Sequence, residues 1–211
     1  MNKTKNRRIY PVIKRIADVL LSLLAMLVLL PVFLAVAIAV KCDGGPVFYA
    51  QTRVGRGGKP FRVYKFRSMK PGAERLEDFL TPEELAEYRK EYKLVKDPRV
   101  SKVGGFLRKS SLDELPQMLN ILKGDMSLVG PRPLLESELA GNYTKQQREQ
   151  LLSVRPGLTG YWQAMSRNES SYLTGERQKQ ELYYIGRVSL GMDVKILCMT
   201  VKRVFSGKGA V

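Results

Sequence analysis

An apolar stretch near the amino terminus decides the fold: residues 19–40 read VLLSLLAMLVLLPVFLAVAIAV, and Ser22 is the single polar side chain among them. About 20 apolar residues are enough for a helix to cross a bilayer, so the stretch predicts a membrane segment. Pro31 stands near its middle and, because proline has no N–H, removes a helical hydrogen bond there. We therefore predict a membrane helix that is bent at Pro31.

Basic residues stand on both sides of this stretch. Those before it are Lys3, Lys5, Arg7, Arg8, Lys14 and Arg15, and those after it are Lys41, Arg53, Arg56 and Lys59. Lysine and arginine accumulate on the cytoplasmic side of membrane segments, so both ends are expected in the cytoplasm. A re-entrant, monotopic helix satisfies both flanks, and we favour it over a single spanning helix. A cleaved signal peptide is a third alternative, because Ala37-Ile38-Ala39 has the pattern of a cleavage site.

The remaining chain predicts an α+β fold that is mainly helical. Two β-rich runs, residues 47–54 and 61–69, flank a glycine-rich turn and predict a small hairpin. Helices are predicted from Pro82 to about Leu94, behind a capping box at Thr81, and over residues 144–154, 175–186 and 192–205. Residues 97–99 and 104–105 indicate turns. The last helix sets Ile196, Met199, Val204 and Phe205 among basic residues, so it either lies on an anionic membrane or packs on the core.

Residues 109–117, KSSLDELPQ, set two adjacent carboxylates just ahead of a predicted helix that begins at Pro116 and ends before Gly124. Asp113 and Glu114 would then stand at the positive end of the helix dipole, where anions are favoured. The arrangement suits phosphate chemistry. A capping box formed by Ser111 and Glu114 is the alternative interpretation.

Basic side chains surround this pair in the sequence. Arg108 precedes Asp113 by five residues, Arg132 stands between two prolines, and Arg155 opens the turn RPGLTG. Lys65 and Arg67 share one face of the predicted second strand and are further candidates for phosphate binding, with a solvated edge strand as the alternative. Each residue alone is typical of a surface charge. Together they suit bidentate recognition of phosphate oxygens.

The amino-acid composition limits which side chains can take part in catalysis. The 211 residues include no histidine and two cysteines, and 36 Lys and Arg against 20 Asp and Glu give a net charge of +16. Catalysis must therefore use carboxylates, Lys, Arg, Tyr or Ser, and zinc sites and disulfide frameworks are excluded. The excess positive charge predicts a polyanionic partner, either nucleic acid or an anionic leaflet. Adjacent carboxylates suit Mg²⁺, which takes one or two carboxylates together with substrate phosphates.

Five stretches, residues 46–55, 64–69, 111–117, 123–133 and 155–160, resemble the bacterial sugar transferase family, the monotopic phosphoglycosyl transferases. The resemblance covers nearly the whole chain. It implies transfer of a sugar 1-phosphate from a nucleotide diphosphate sugar, usually a UDP-sugar, to undecaprenyl phosphate, with release of UMP. This reaction is the first membrane step of glycan assembly, at the cytoplasmic face of the bacterial inner membrane.

The resemblance also implies residue roles. Asp113 would form a covalent phosphosugar-aspartate, Glu114 would bind Mg²⁺ and, with Arg108, offset charge on the transferring group, and Arg132 and Arg155 would hold phosphates or the carrier. The family places the membrane bend at the position of Pro31, often behind a serine, where this chain has Leu30.

The resulting expectation is a minimal catalytic unit. Residues 1–41 form the basic N-terminus and a re-entrant membrane helix, and residues 42–211 form a domain in which the hairpin and interfacial amphipathic helices surround a cytoplasmic active site. A membrane-tethered nucleic-acid-binding module is the competing hypothesis, motivated by the charge and by Tyr64, Phe66 and Arg67 on the hairpin. A structural scaffold is the third. We make no prediction of the sugar or the oligomeric state.

Overall fold

The computed structural model describes residues 3–206 apart from 93, 95 and 167–169, with side chains described from residue 9 to residue 203. In this part of the chain the helices are α1 (Lys3–Val28), α2 (Leu30–Cys42), α3 (Pro82–Glu91), α4 (Lys102–Ser110), α5 (Gln117–Lys123), α6 (Glu136–Asn142), α7 (Lys145–Leu151), α8 (Tyr161–Ser166), α9 (Glu176–Ile185) and α10 (Leu190–Ser206). The strands are β1 (Phe48–Val54), β2 (Pro60–Phe66), β3 (Ser127–Val129) and β4 (Gly157–Thr159). The prediction of a mainly helical α+β fold is confirmed.

Helices α1 and α2 form a bent pair whose axes differ by 65°. The break falls at Leu29, two residues before Pro31, and Pro31 occupies the first turn of α2, where its missing N–H has no helical partner to lose. The predicted bend is therefore confirmed, and the helix is interrupted two residues before the proline. Among the described residues no single helix is long and apolar enough to cross a membrane, whereas the pair Ile9–Val28 and Leu30–Cys42 together passes that test of length and composition.

Polar contacts attach α1 to the rest of the chain. The Arg15 guanidinium donates to the carbonyls of Ile121 (2.6 Å) and Leu122 (3.0 Å) at the end of α5. The Asp18 carboxylate accepts a hydrogen bond from the backbone N–H of Leu128 in β3 (3.0 Å). The helix pair therefore packs on the elements that follow it, and the division of the chain at residue 41 stays a prediction.

The predicted hairpin is confirmed as the antiparallel pair β1 and β2, in which Tyr49 lies opposite Lys65 and Gln51 opposite Val63. One face of the hairpin packs under α2, where Phe66 joins Val36 and Val40 in an apolar cluster. Successive residues of a strand point to opposite faces. The other face therefore remains available for polar residues, and it faces the site described below.

A pair of short parallel strands, β3 and β4, was not predicted from the sequence. Their backbones approach so closely that a Cβ on Gly157 would lie 2.1 Å from the backbone nitrogen of Gly130. Only glycine permits that approach. Beyond β3, the backbone N–H of Val54 donates to the carbonyl of Leu134 (2.9 Å), which brings the Pro131-Arg132-Pro133 turn beside the end of β1.

The turn predicted at residues 104–105 is wrong. Gly104 and Gly105 both lie inside α4, which begins at a Ser101 cap. A Cβ on Gly104 would lie 1.8 Å from the carbonyl oxygen of Ser68, so glycine serves close packing here instead of chain reversal.

The other helix predictions are largely confirmed. The capping box of Thr81 and Glu84 starts α3, Thr144 caps α7, and α9 and α10 lie close to the predicted ranges. Helices α6 and α8 were missed, because elements of six or seven residues are too short to show a helical period. Val204 and Phe205, named in the prediction for the last helix, lie outside the described side chains.

Candidate active site

The two adjacent carboxylates lie in a single 3₁₀ turn, Leu112–Glu114, between α4 and α5. Ser111 links α4 to this turn in the left-handed conformation (φ 59°), which non-glycine residues rarely adopt and which occurs preferentially near functional sites. Its side chain makes no N-cap hydrogen bond, so the capping box proposed for Ser111 and Glu114 is wrong. The helix that follows begins at Gln117 with Pro116 at its cap, one residue later than predicted, and ends at Gly124.

Lys65 joins the two carboxylates. Its ammonium nitrogen lies 2.7 Å from Glu114 Oε1 and 3.7 Å from Asp113 Oδ2. Asp113 is only 5% exposed, so its charge is largely removed from water and needs a nearby counter-charge. The structure brings Lys65 to the two carboxylates, and the binding roles predicted for Lys65, Asp113 and Glu114 stay predictions.

Arg108 lies in the last turn of α4, shortly before the carboxylate turn. Its Nε donates to Ser68 Oγ (3.1 Å). Burial lowers the pKa of the Arg108 guanidinium below its ordinary value, while the negative charge of Asp113 opposes that shift. The structure thus places Arg108 within electrostatic reach of Asp113, as its position in the sequence predicted.

The carboxylate turn borders an open pocket of about 390 Å³, counting the space at its mouth. Its floor is the face of the hairpin that points away from α2, and its walls come from the carboxylate turn, the Pro131-Arg132-Pro133 turn, β4 and α8. The lining residues are Tyr49, Gln51, Arg53, Val63, Lys65, Glu114, Gln117, Arg132, Pro133, Gly157, Leu158 and Gln163.

Arg132 lines the same pocket as Glu114. Burial alone would lower the pKa of its guanidinium, but the negative charges of Glu114 and Glu138 outweigh that effect and raise the pKa above its ordinary value. The Arg132 backbone N–H donates to Oε1 of Glu181 (3.3 Å), so a buried carboxylate also holds the turn. Arg132 is therefore a permanently charged cation in the pocket wall.

Arg67 and Arg155 are placed elsewhere. The strand ends at Phe66, and the Arg67 guanidinium is buried and donates to the carbonyl of Val40 (3.0 Å) near the end of α2. Arg155 donates to the carbonyl of Gly124 (2.8 Å) and lies nearer Arg15 and Arg56 than the carboxylates. Neither side chain lines the pocket. The sequence grouped Arg67 and Arg155 with the other candidate phosphate-binding residues, but the structure does not bring their side chains to the pocket.

Two residues that the sequence did not single out belong to the site. Arg53 lines the pocket, and Glu138, on α6, lies 3.3 Å from its guanidinium. The alternation of Tyr49, Gln51 and Arg53 along β1 was a usable signal for Arg53, because these three residues share the face that carries Lys65. No sequence signal links Glu138 to a strand that lies 85 positions earlier.

The hairpin does not support the nucleic-acid hypothesis. Base stacking needs exposed aromatic rings. Phe66 is 1% exposed inside the core, and Arg67 is buried against α2. The three residues that motivated the hypothesis therefore do not form one exposed surface.

The donor set at the pocket fits a magnesium ion that is completed by its substrate. Among the described residues no group of three or more His, Cys, Asp or Glu side chains could hold a metal by itself. Glu114 lines the pocket with Asp113 next to it, and Mg²⁺ characteristically uses one or two carboxylates together with substrate phosphates.

Comparison with known proteins gives a consistent match. The family model described as bacterial sugar transferase matches residues 9–207. The chain is 44% identical to the exopolysaccharide production protein ExoY of Sinorhizobium fredii, over 93% of this chain and 87% of that protein. It is 42% identical to the undecaprenyl-phosphate galactose phosphotransferase of Salmonella typhimurium, over 94% of this chain and 41% of that protein.

A further relative is the UDP-glucose:undecaprenyl-phosphate glucose-1-phosphate transferase of Escherichia coli, which is 40% identical over 94% of this chain and 41% of its own length. The chain thus spans about two fifths of the Salmonella and Escherichia coli proteins and most of the Sinorhizobium protein.

Proposed function

The chain belongs to the bacterial sugar transferase family, and we propose that it transfers a sugar 1-phosphate from a UDP-sugar to undecaprenyl phosphate and releases UMP. The observation that supports this proposal most directly is the buried Asp113, held beside Glu114 and Lys65 at a pocket that Arg132 also lines. A nucleophile, an adjacent metal-binding carboxylate and nearby cations are the groups that phosphoryl transfer requires.

The proposed reaction has two displacements. In the first, a carboxylate oxygen of Asp113 bonds to the phosphorus next to the sugar, and the bond from that phosphorus to the oxygen bridging the two phosphates breaks. The electron pair leaves with UMP. In the second, an oxygen of undecaprenyl phosphate bonds to the same phosphorus, and the bond to Asp113 breaks. The carboxylate is regenerated and the sugar diphosphate lipid is released.

The basic residues balance charge during both steps. Two carboxylates beside a diphosphate repel it, by several kcal/mol at low effective dielectric. Lys65 contacts both carboxylates, Arg108 lies within electrostatic reach of Asp113, and Arg132 lines the same pocket. Glu114 is proposed to hold Mg²⁺ with phosphate oxygens of the donor, and the bound ion supplies further charge neutralisation.

We also propose that the α1–α2 pair is a re-entrant anchor in the cytoplasmic leaflet of the bacterial inner membrane. Apolar side chains are exposed along both helices, namely Leu20, Leu24, Leu27, Val28, Leu34 and Ile38. A contiguous apolar surface of this kind indicates contact with lipid or another apolar partner. Basic residues on both flanks favour cytoplasmic ends, and α10 exposes Leu190, Val194 and Val201 beside lysines, as an interfacial helix would.

The test is a transfer assay with purified protein in detergent or nanodiscs, a panel of UDP-sugars, undecaprenyl phosphate and Mg²⁺. We expect UMP release from one or a few sugars, and a phosphosugar adduct on Asp113 when the carrier is omitted, detected by mass spectrometry of the peptide. Absence of UMP release from every UDP-sugar contradicts the proposed function. Release of UMP without any adduct contradicts the two-step route.

A further inference from the structure

Arg53 is held in the pocket by contacts from three places in the chain. Its Nη2 donates to Gln51 Oε1 (2.7 Å), and its Nη1 contacts the carbonyl of Pro133 (3.4 Å) and Glu138 Oε2 (3.3 Å). The side chain retains 15% exposure, all that a lining residue needs to reach a ligand. The guanidinium plane is therefore fixed before any ligand arrives.

Arg53 and Arg132 place two like charges in the same pocket wall. Burial and, after it, the positive charge of Arg132 lower the pKa of Arg53 to about 10, and the negative charge of Glu138 opposes both effects. Three cations, Arg53, Lys65 and Arg132, line the pocket against one lining carboxylate, Glu114. Asp113 and Glu138 lie just behind the lining, beside Lys65 and Arg53. The side chains that reach the pocket are therefore mainly positive, and a ligand with two or more negative charges would reduce the repulsion between Arg53 and Arg132.

Glu138, which contacts Arg53, is itself held in place by several hydrogen bonds. It is 3% exposed, and its carboxylate accepts hydrogen bonds from the Tyr172 hydroxyl (2.6 Å), Arg177 Nη2 (3.0 Å) and the backbone N–H of Leu135 (3.3 Å). Burial would raise the pKa of Glu138, but the charges of Arg177 and Arg132 lower it below its ordinary value. Glu138 therefore stays ionised.

Arg177 is in turn clamped between two aromatic rings, with its guanidinium carbon 4.0 Å from the ring centres of both Trp162 and Tyr172. A carboxylate held this firmly cannot follow the movement of Arg53. The contact consequently orients Arg53 towards the pocket and limits its rotation.

We propose that Arg53 and Arg132 form a paired guanidinium site for the diphosphate of the donor nucleotide, and that Glu138 is the positioning residue that orients Arg53. The inference rests on the proposed function, since it assigns the nucleotide end of that same pocket. Two planar guanidinia suit two linked phosphates, because each can bond two oxygens side by side. A nucleoside monophosphate offers only one such group.

The test is calorimetric titration of UDP, UMP and uridine onto the full chain, without carrier or turnover. Arg53→Gln is expected to weaken UDP binding by roughly 10- to 100-fold, the loss typical of one charged hydrogen-bonding group, with a smaller effect on UMP and none on uridine. Arg62→Gln is the matched control, because it removes one positive charge from an exposed position of the same hairpin. Equal UDP-to-UMP affinity ratios in the two variants would overturn the inference.

Glu138 is tested by a double-mutant cycle. If it acts through Arg53, then Glu138→Gln weakens UDP binding, but Arg53→Gln combined with Glu138→Gln binds UDP no more weakly than Arg53→Gln alone. Additive losses would mean that Glu138 has only a general structural role. Should Arg53→Gln fail to fold, Arg53→Lys keeps the charge without the fork, and unchanged UDP selectivity in that variant overturns the paired site.

The outcomes separate this inference from the proposed function. A chain that binds UDP through Arg53 yet releases no UMP from any UDP-sugar contradicts the transferase and leaves the diphosphate site intact. A chain that releases UMP from a UDP-sugar, but whose preference for UDP over UMP does not depend on Arg53, contradicts the paired site and leaves the transferase intact.

Discussion

Glu181 illustrates how burial sets the chemistry of one residue. It is 1% exposed, and its Oε1 accepts the backbone N–H of Arg132. Burial raises the pKa of Glu181 from 4.5 to about 7, and the charges of Arg177 and Arg132 offset only part of that shift. The folded chain therefore binds this proton more tightly than the unfolded chain does.

We predict that Glu181 makes stability depend on pH in a defined direction. Its contribution is fully present below about pH 4.5 and is lost as the pH rises through about 7, because ionisation then favours the unfolded chain. A shift of this size corresponds to a loss on the order of 3 kcal/mol between pH 4.5 and pH 8. Glu181→Gln should remove this slope and unfold at a higher temperature than the wild type at pH 8.

The measurement is the thermal unfolding midpoint from pH 4.5 to pH 8 in one detergent. Glu149→Gln, at an exposed position of α7, is the control and should retain the wild-type slope. An unchanged slope in Glu181→Gln would show that another group titrates in this range.

Asp113 is the residue on which turnover depends. Asp113→Asn keeps the shape of the side chain but cannot form the acyl phosphate, so we expect UMP release to fall by roughly 10³-fold or more while UDP still binds. Asp78→Asn, in an exposed ion pair with Arg75, should keep wild-type turnover. A turnover within tenfold of wild type in Asp113→Asn would refute the nucleophile assignment.

At the scale of one element, α4 shows that two neighbouring glycines have opposite roles. A Cβ at Gly104 would collide with the Ser68 carbonyl, whereas a Cβ at Gly105 would meet nothing within 4 Å. The sequence pattern predicted a turn at both glycines, because pairs of glycines usually occur in turns. The distinction depends on which backbone lies opposite each glycine, and for Gly104 that is the backbone of Ser68, far earlier in the chain.

We predict that Gly104→Ala lowers stability by about 2 kcal/mol or more, since the helix must move away from Ser68. Gly105→Ala should raise it by about 0.5–1 kcal/mol, because alanine loses less conformational entropy in a helix. Thermal unfolding midpoints of the two variants, each against the wild type, provide the measurement. Equal shifts in the same direction would contradict the close packing of α4.

For the whole molecule, the bent helix pair determines where the site lies. The buried Arg67 connects the end of α2 to the hairpin, and Lys65, two residues earlier, contacts the carboxylates. The helix pair and the carboxylate pair are therefore connected through one strand.

We predict that both ends of the helix pair face the cytoplasm. Cys42 is exposed at the end of α2, so it can be labelled in a Cys198→Ser variant. Asn6→Cys tests the other end of the helix pair, in a variant in which Cys42 and Cys198 are both replaced. A membrane-impermeant maleimide should label neither position in intact spheroplasts and both in inverted vesicles, as it does for the control Glu87→Cys on α3. Labelling of residue 6 from outside would show a spanning helix instead.

Sequence alone determined the features that local chemistry specifies. The apolar run with its proline predicted the bend, the capping box at Thr81 predicted α3, and the two β-rich runs around Gly55–Pro60 predicted the hairpin. The adjacency of Asp113 and Glu114 needed no tertiary information. Only the tertiary structure decided which cations face that pair. Arg53 lines the pocket with Glu138 in contact with its guanidinium, whereas Arg67 and Arg155 do not line it, because side-chain direction depends on strand ends and on the packing of segments far apart in the chain.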